Sequence, residues 1–310
     1  MSNLMFFGTP DFAACSLQAL YDFCQKYQHN LLGAVCQPDK PAQRGQHLQV
    51  PPVKELALKL GLPVWQPTKI TPEFVTWFKE RQIDLAVVVV YGKILPQSLL
   101  EASRLGFVNI HPSLLPRWRG AAPIQRAIQA GDTEVGICIM NLIPEMDAGE
   151  IYAQVKMPIG PNETSGELFD RLALLGAELL IKTLPGILSQ KLLKTPQSQT
   201  GITYAHKLKK EEALIDWSKS AQDLVNHCRA MQPWPGVYGL YQGKKMRLFG
   251  GVLMRGEGVK GQIRELGDNL VVGTGDGLIA FGEAQLEGKR RMPIRDLLNG
   301  FSMQVGEHLC

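Results

Sequence analysis

The first half of this 310-residue chain alternates unbroken apolar runs with helical segments, and that constrains its fold more than any other feature. The clearest run, Leu85-Ala86-Val87-Val88-Val89-Val90, offers no polar residue to either face of a strand, so both faces must be buried. A strand covered on both sides belongs inside a sheet with helices over each face. The same grammar recurs along the chain. Leu4 to Gly8 reads as a buried strand, Gly8-Thr9-Pro10-Asp11 as a turn opening a helix through Tyr27, and Leu31 to Cys36 as a second strand. Helices are predicted over Val53 to Leu60, Pro72 to Gln82 and Pro123 to Ala130, with a short one from Gln97. Val108 to His111 reads as a strand, and Val135 to Leu142 with Ile151 to Met157 as a strand pair. Thr164-Ser165-Gly166-Glu167 has the form of a capping box and opens a long helix to about Leu188. Strands alternating with helices predict an α/β fold, a Rossmann-like doubly wound and mostly parallel sheet. Gly8-Thr9-Pro10 lacks the GxGxxG fingerprint, which disfavours a dinucleotide oxidoreductase.

The character changes after Leu188. Residues 190–206 are polar and irregular and read as a linker between a catalytic domain over 1–189 and a second domain over 207–310. A short charged helix is expected around Lys207 to Ala213, and Asp216 and Trp217 are expected to lead into a longer one through Met231. Short strands with glycine turns then follow over Tyr238 to Tyr241, Met246 to Leu248, Gly261 to Leu266, Leu270 to Val272 and Leu278 to Phe281, the pattern of a small OB-like β-barrel.

Charge is divided unevenly. Residues 1–189 hold 16 Lys and Arg against 17 Asp and Glu, whereas 190–310 hold 17 against 12. A basic C-terminal third fits either a polyanion partner or a mildly basic solvated domain. The apolar runs fall short of a membrane span, and Met1 opens almost directly into the first strand, so a cytoplasmic protein without a signal peptide is expected. The six cysteines have no CxxC or metal spacing and read as reduced thiols; no metal site is expected.

The chemistry concentrates in Asn109-Ile110-His111-Pro112-Ser113-Leu114-Leu115-Pro116 and in Met146-Asp147-Ala148-Gly149. On a strand, Asn109 and His111 project from one face. Their place at the carboxyl end of that strand is where open α/β sheets hold ligands. An amide donates to a developing oxyanion, an imidazole moves or donates a proton, and a carboxylate orients the imidazole. Those are the groups an acyl or formyl transfer needs.

The run continues as Arg117-Trp118-Arg119-Gly120-Ala121-Ala122-Pro123-Ile124-Gln125. Together with Gly8-Thr9-Pro10-Asp11-Phe12, Tyr91-Gly92-Lys93-Ile94-Leu95-Pro96 and Lys210-Glu211-Glu212-Ala213-Leu214-Ile215-Asp216-Trp217, it resembles the signature of the methionyl-tRNA formyltransferase family over essentially the whole chain. The Asn/His/Asp core alone is shared with other formyltransferases. The resemblance implies transfer of formyl from 10-formyltetrahydrofolate to the methionine amine of initiator Met-tRNA, by a protein expected to be a monomer. It implies Asn109, His111 and Asp147 as the catalytic trio. The folate cleft it implies is lined by Val88, Val90, Tyr91, Gly92, Ser113, Leu114, Leu115, Pro116, Ile139 and Asp147. The loop Pro38 to Gln46 resembles the family's insertion toward the tRNA acceptor end, with Arg44 as a contact, and Lys207, Lys209 and Lys210 as contacts to the acceptor stem. Lys244, Lys245, Arg247 and Lys289-Arg290-Arg291 could extend that surface. A formyltransferase for a sugar nucleotide, a formyltetrahydrofolate hydrolase and a non-catalytic RNA-binding module stand as alternatives; the intact trio argues against the last.

Overall fold

The computed structural model describes residues 1–41 and 48–310, with the backbone alone described at Pro41 and Leu48. The chain forms two compact units: Met1–Gly120 with Glu134–Met157 and Phe169–Tyr204, and Ala121–Thr133 with Pro158–Leu168 and Ala205–Cys310.

The first unit is built on a seven-stranded sheet in the order Ile151–Pro158, Glu134–Asn141, Phe107–His111, Leu85–Val89, Asn3–Gly8, Asn30–Val35, Val64–Trp65. The five strands from Phe107–His111 to Val64–Trp65 run parallel, and Glu134–Asn141 joins antiparallel to Phe107–His111, so the expected mostly parallel sheet is present. Leu85–Val89 is fully buried along its length, as its unbroken apolar run requires. From Asn3–Gly8 the chain first moves to one side of the sheet and later returns on the other. That reversal puts a topological switch point between Asn3–Gly8 and Leu85–Val89, and open α/β sheets hold ligands at the carboxyl ends of the strands there. Behind it Phe7 packs its ring against Phe78, Phe107 and Tyr91 at 6.1, 5.6 and 5.5 Å.

Residues 190–206 are not a free tether. Thr195 exchanges backbone hydrogen bonds of 2.8 and 2.9 Å with Ile151, Gln197 is buried, and Arg119 donates its backbone N–H to the Thr203 carbonyl at 2.9 Å. Within this polar stretch Gln197 and Thr203 serve as hydrogen-bond partners for the sheet unit.

The second unit is not contiguous in sequence. The helix Pro123–Gln129 joins it because Arg126 forks onto Glu212 at 2.6 and 3.0 Å and Gln129 meets His227 at 3.2 Å. Residues 158–168 join it through Gly166, whose N–H donates to the Gln232 carbonyl at 3.1 Å, and Arg229, which donates to the Gly160 carbonyl at 3.1 Å. Thr164 and Glu167 form the expected capping box: the Glu167 carboxylate accepts from the Thr164 N–H at 2.9 Å, while the Thr164 hydroxyl accepts from the Glu167 N–H at 3.4 Å.

Two expected helices are shorter than the sequence pattern suggests. Lys210–Ala213 is a single 3-10 turn, and the following helix spans Ala221–Ala230, capped by Ser220. Asp216 spends its carboxylate on the Ser218 N–H and hydroxyl, making a local turn instead of helix. The C-terminal strands form two four-stranded antiparallel sheets over one core that includes Trp217, Tyr241, Ile279 and Phe281. Val252–Met254, Glu283–Leu286 and Met292–Pro293 are strands that the turn pattern did not reveal. Among the described residues no helix is long and apolar enough to cross a membrane.

Asp84 ties the amino ends of two central strands together. Its carboxylate accepts from the Asn3 N–H at 2.8 Å and from Arg104 Nε at 2.6 Å, while its own N–H donates to the Asn3 carbonyl at 2.8 Å. Partial burial disfavours its charge, but the Asn3 N–H and Arg104 outweigh that and hold the acid below its ordinary value. A depressed carboxyl stabilises the fold above its unfolded titration and stops doing so as pH falls through the folded one. Replacing Asp84 by Asn should therefore cost roughly 1 kcal/mol near neutral pH. The variant's urea midpoint should also fall less steeply than the parent's below about pH 4; parallel acid-side slopes would contradict this role for Asp84.

Candidate active site

Asn109 and His111 lie on Phe107–His111, between two strands that fix their height. Asn109 stands opposite Val88 on one neighbour and Met140 on the other, and His111 opposite Cys138. His111 is buried at 4 % exposure, while Asn109 is half-buried and its side-chain amide makes no hydrogen bond among the described residues. The amide N–H groups of Asn109 are therefore available to an incoming oxygen.

The imidazole is held from both sides. Nε2 lies 3.0 Å from the Trp118 carbonyl, which can only accept, so Nε2 carries the hydrogen. Nδ1 then faces Asp147 Oδ2 at 3.7 Å, close enough for an ion pair and too far for a direct hydrogen bond. The same Oδ2 accepts the Gly120 N–H at 2.8 Å.

Asp147 sits in the left-handed region at φ +47, an uncommon conformation for a residue with a Cβ. Gln197 holds it there: its amide Nε2 donates to the Asp147 and Gly149 carbonyls, each at 2.8 Å. Gln197 Oε1 accepts from Arg119 Nε and Nη2 at 3.1 and 2.8 Å, and Arg119 reaches Glu145 at 3.7 Å. Gly149 is required by contact, since a Cβ there would lie 1.8 Å from the Asn141 carbonyl oxygen.

The residues expected to line a folate cleft divide into two kinds. Val90, exposed and at φ +44, and Gly92, exposed at φ +76, form an open turn at the carboxyl end of Leu85–Val89. Thr9 Oγ1 and Gln37 Nε2 fix that turn by donating to the Tyr91 carbonyl at 3.1 and 2.9 Å. Leu114 and Pro116 are half-buried, with a cis bond before Pro116. Val88, Tyr91, Ser113, Leu115 and Ile139 have buried side chains, so their support for a ligand comes from backbone and shape. Burial pushes the Tyr91 phenol up to about 12, and the Ser113 hydroxyl is spent on the Arg117 carbonyl at 2.7 Å. Ile94, Ile143 and Met146 add exposed apolar surface on the loops after two sheet strands.

Lys207, Lys209 and Lys210 are exposed in the second unit around buried Leu208. Arg44 falls outside the described residues; the flanking Lys40–Pro41 and Leu48–Gln49 pair antiparallel. Elsewhere in the second unit Lys245 covers the Tyr238 ring at 3.9 Å and Arg291 the Phe249 ring at 4.2 Å. Trp118, Arg119 and Gln197 were not among the expected site residues. Arg119 and Trp118 lay inside the quoted motif, but Gln197 sits in a polar stretch with no distinguishing pattern.

Residues 3–184 match the family described as formyl transferase, and residues 207–302 its C-terminal domain. The chain is 45% identical to the methionyl-tRNA formyltransferase of Symbiobacterium thermophilum, covering 99% of this chain and 94% of that protein. It is 42% identical to the enzyme of the same name from Magnetococcus marinus, covering 99% and 98%. Among solved structures, methionyl-tRNA formyltransferase from Clostridium thermocellum matches with a TM-score of 0.56 at 13% identity over 92% of this chain and 99% of that one. An N-formyltransferase from Helicobacter canadensis in complex with folinic acid and dTDP-3-aminofucose matches at 0.68 with 17% identity, over 92% and 100%. At such identities these structures speak for the fold alone, whereas the two curated relatives match over almost their full length. The chain belongs to the methionyl-tRNA formyltransferase family.

Proposed function

We propose that this protein transfers the formyl group of 10-formyltetrahydrofolate to the α-amino group of methionine on initiator Met-tRNA, as a cytoplasmic monomer. The observation that carries the reading is the 45% identity to a methionyl-tRNA formyltransferase over 99% of the chain, basic C-terminal domain included. The Helicobacter sugar enzyme, by contrast, shares only 17% of its residues with this chain.

In this mechanism the pterin end of the folate lies over the open turn at Val90 and Gly92, against the loop that runs from Ser113 to Pro116. The neutral amine attacks the formyl carbon; a C–N bond forms and the carbonyl electron pair moves to oxygen. The free amide of Asn109 donates to that oxygen. With its Nε2–H engaged by Trp118, His111 acts through Nδ1: a proton from the attacking nitrogen passes to the His111–Asp147 pair, through a water or a small closure across the 3.7 Å gap. N10 of tetrahydrofolate leaves with the electrons of the broken C–N bond and takes a proton in turn. The steps draw on no metal ion. Lys207, Lys209, Lys210 and the loop bearing Arg44 hold the acceptor arm.

The reaction is tested by offering labelled 10-formyltetrahydrofolate with charged initiator tRNA, charged elongator tRNA and water in parallel. Label on initiator Met-tRNA alone is expected; folate turnover without labelled tRNA would make the protein a hydrolase. Asn109→Ala should lower turnover on the order of 100- to 1,000-fold while folate affinity changes little; near-parental turnover would remove Asn109 from the oxyanion role. Replacing Lys207, Lys209 and Lys210 together by Ala should weaken tRNA binding and reduce the salt slope of log K by roughly 1 per lost phosphate contact. An unchanged slope in a filter-binding series would move the tRNA surface elsewhere.

A further inference from the structure

The stretch between residues 184 and 207 lies outside both matched family segments, yet it supplies the groups that hold the catalytic pair. We propose that Gln197 is a positioning residue that sets the Asp147 carboxylate, and that Thr195 to Thr203 is part of the active site. The inference rests on the formyl-transfer reading of Asn109, His111 and Asp147.

The Gln197 amide cannot turn over. Its Oε1 receives Arg119 Nε and Nη2 at 3.1 and 2.8 Å, and a guanidinium offers only donors. The NH2 group must then point the other way, where it spends both hydrogens on the Asp147 and Gly149 carbonyls at 2.8 Å each. Gln197 is 7% exposed, and its side chain donates and accepts on every side. Fixing the carbonyls on either side of Ala148 fixes the peptide planes of a loop whose first residue is left-handed. The Asp147 carboxylate leaves from that residue, with Oδ2 aimed at the Gly120 N–H and at His111 Nδ1.

The same stretch reaches the histidine. Thr203 Oγ1 accepts the Trp118 N–H at 2.9 Å and the Thr203 carbonyl accepts the Arg119 N–H at 2.9 Å. Trp118 in turn presents the carbonyl that receives His111 Nε2. One segment therefore braces both partners of the proton relay.

A competing role for Gln197 is to satisfy the buried guanidinium of Arg119, and Gln197→Glu separates the two. A carboxylate still accepts from Arg119 but donates nothing to the two carbonyls. Full-length parent and Q197E, each with Asp147 intact and with Asp147→Asn, are compared in single turnover with labelled formyl donor and Met-tRNA. The expected result is a roughly 10- to 100-fold fall in rate for Q197E, with KM for Met-tRNA within about twofold of the parent. In the Asp147→Asn background the same change should alter the rate by less than about twofold, because the effect travels through Asp147. A parental rate in Q197E, or an equal fall with and without Asp147, overturns the proposal. A thermal melt identifies a variant that fails to fold. In that case Gln197→Ala, which puts no charge against the carbonyls, is measured in the same two backgrounds. A fall in rate only where Asp147 is intact supports the positioning role, and a parental rate or an equal fall in both overturns it. A parent chain that moves no formyl group overturns the underlying reading, and the inference with it.

Discussion

The hydrogen on Nε2 of His111 organises the rest of the site. Because it is given to the Trp118 carbonyl, the ring cannot rotate without losing a buried hydrogen bond, and Nδ1 is left as the nitrogen that faces Asp147. Everything around it follows from that commitment. Asp147 must approach from the Nδ1 side, and the loop bearing it must adopt a left-handed turn. Trp118, itself at φ +64, must be held so that its carbonyl points inward. A sheet strand supplies the ring's height; loops supply its orientation.

The parallel sheet was legible because both faces of Leu85 to Val90 are apolar, a demand that few folds meet. Asn109 and His111 were legible for a related reason: the alternation of a strand puts them on one face whatever surrounds them. Asp147 could be expected from its glycine-flanked loop and the family resemblance, but its backbone strain could not, since φ is set by tertiary contacts with Gln197. Gln197 itself was hidden in principle. A buried glutamine in an irregular segment has no periodicity to read, and polar composition points to solvent. The second unit went partly unread because its elements are short. Val252–Met254 has three exposed residues and no alternation, and Asp216 uses its side chain in a turn ahead of the helix.

The division of the chain into two units cuts across sequence order. Residues 121–133 and 158–168 are bracketed on both sides by segments of the sheet unit, yet their hydrogen bonds run to Glu212, His227, Arg229 and Gln232. Composition alone detects a change of character near Leu188, because it averages over neighbours in sequence. An ion pair such as Arg126 with Glu212 joins residues 86 apart, and no local average contains it.

Cys138 stands opposite His111 across the sheet, with its thiol given to the Ser113 carbonyl at 3.0 Å. It is fully buried, and burial pushes the thiol up to about 11, so the thiolate is essentially absent at neutral pH. Alkylating agents and peroxides act on thiolates that they can reach. The sulfur beside the histidine is thus sheltered from oxidants, filling space next to His111 as a small apolar group would. Of the six cysteines Cys310 is the exposed one, and a thiol reagent reaches its sulfur without opening the fold.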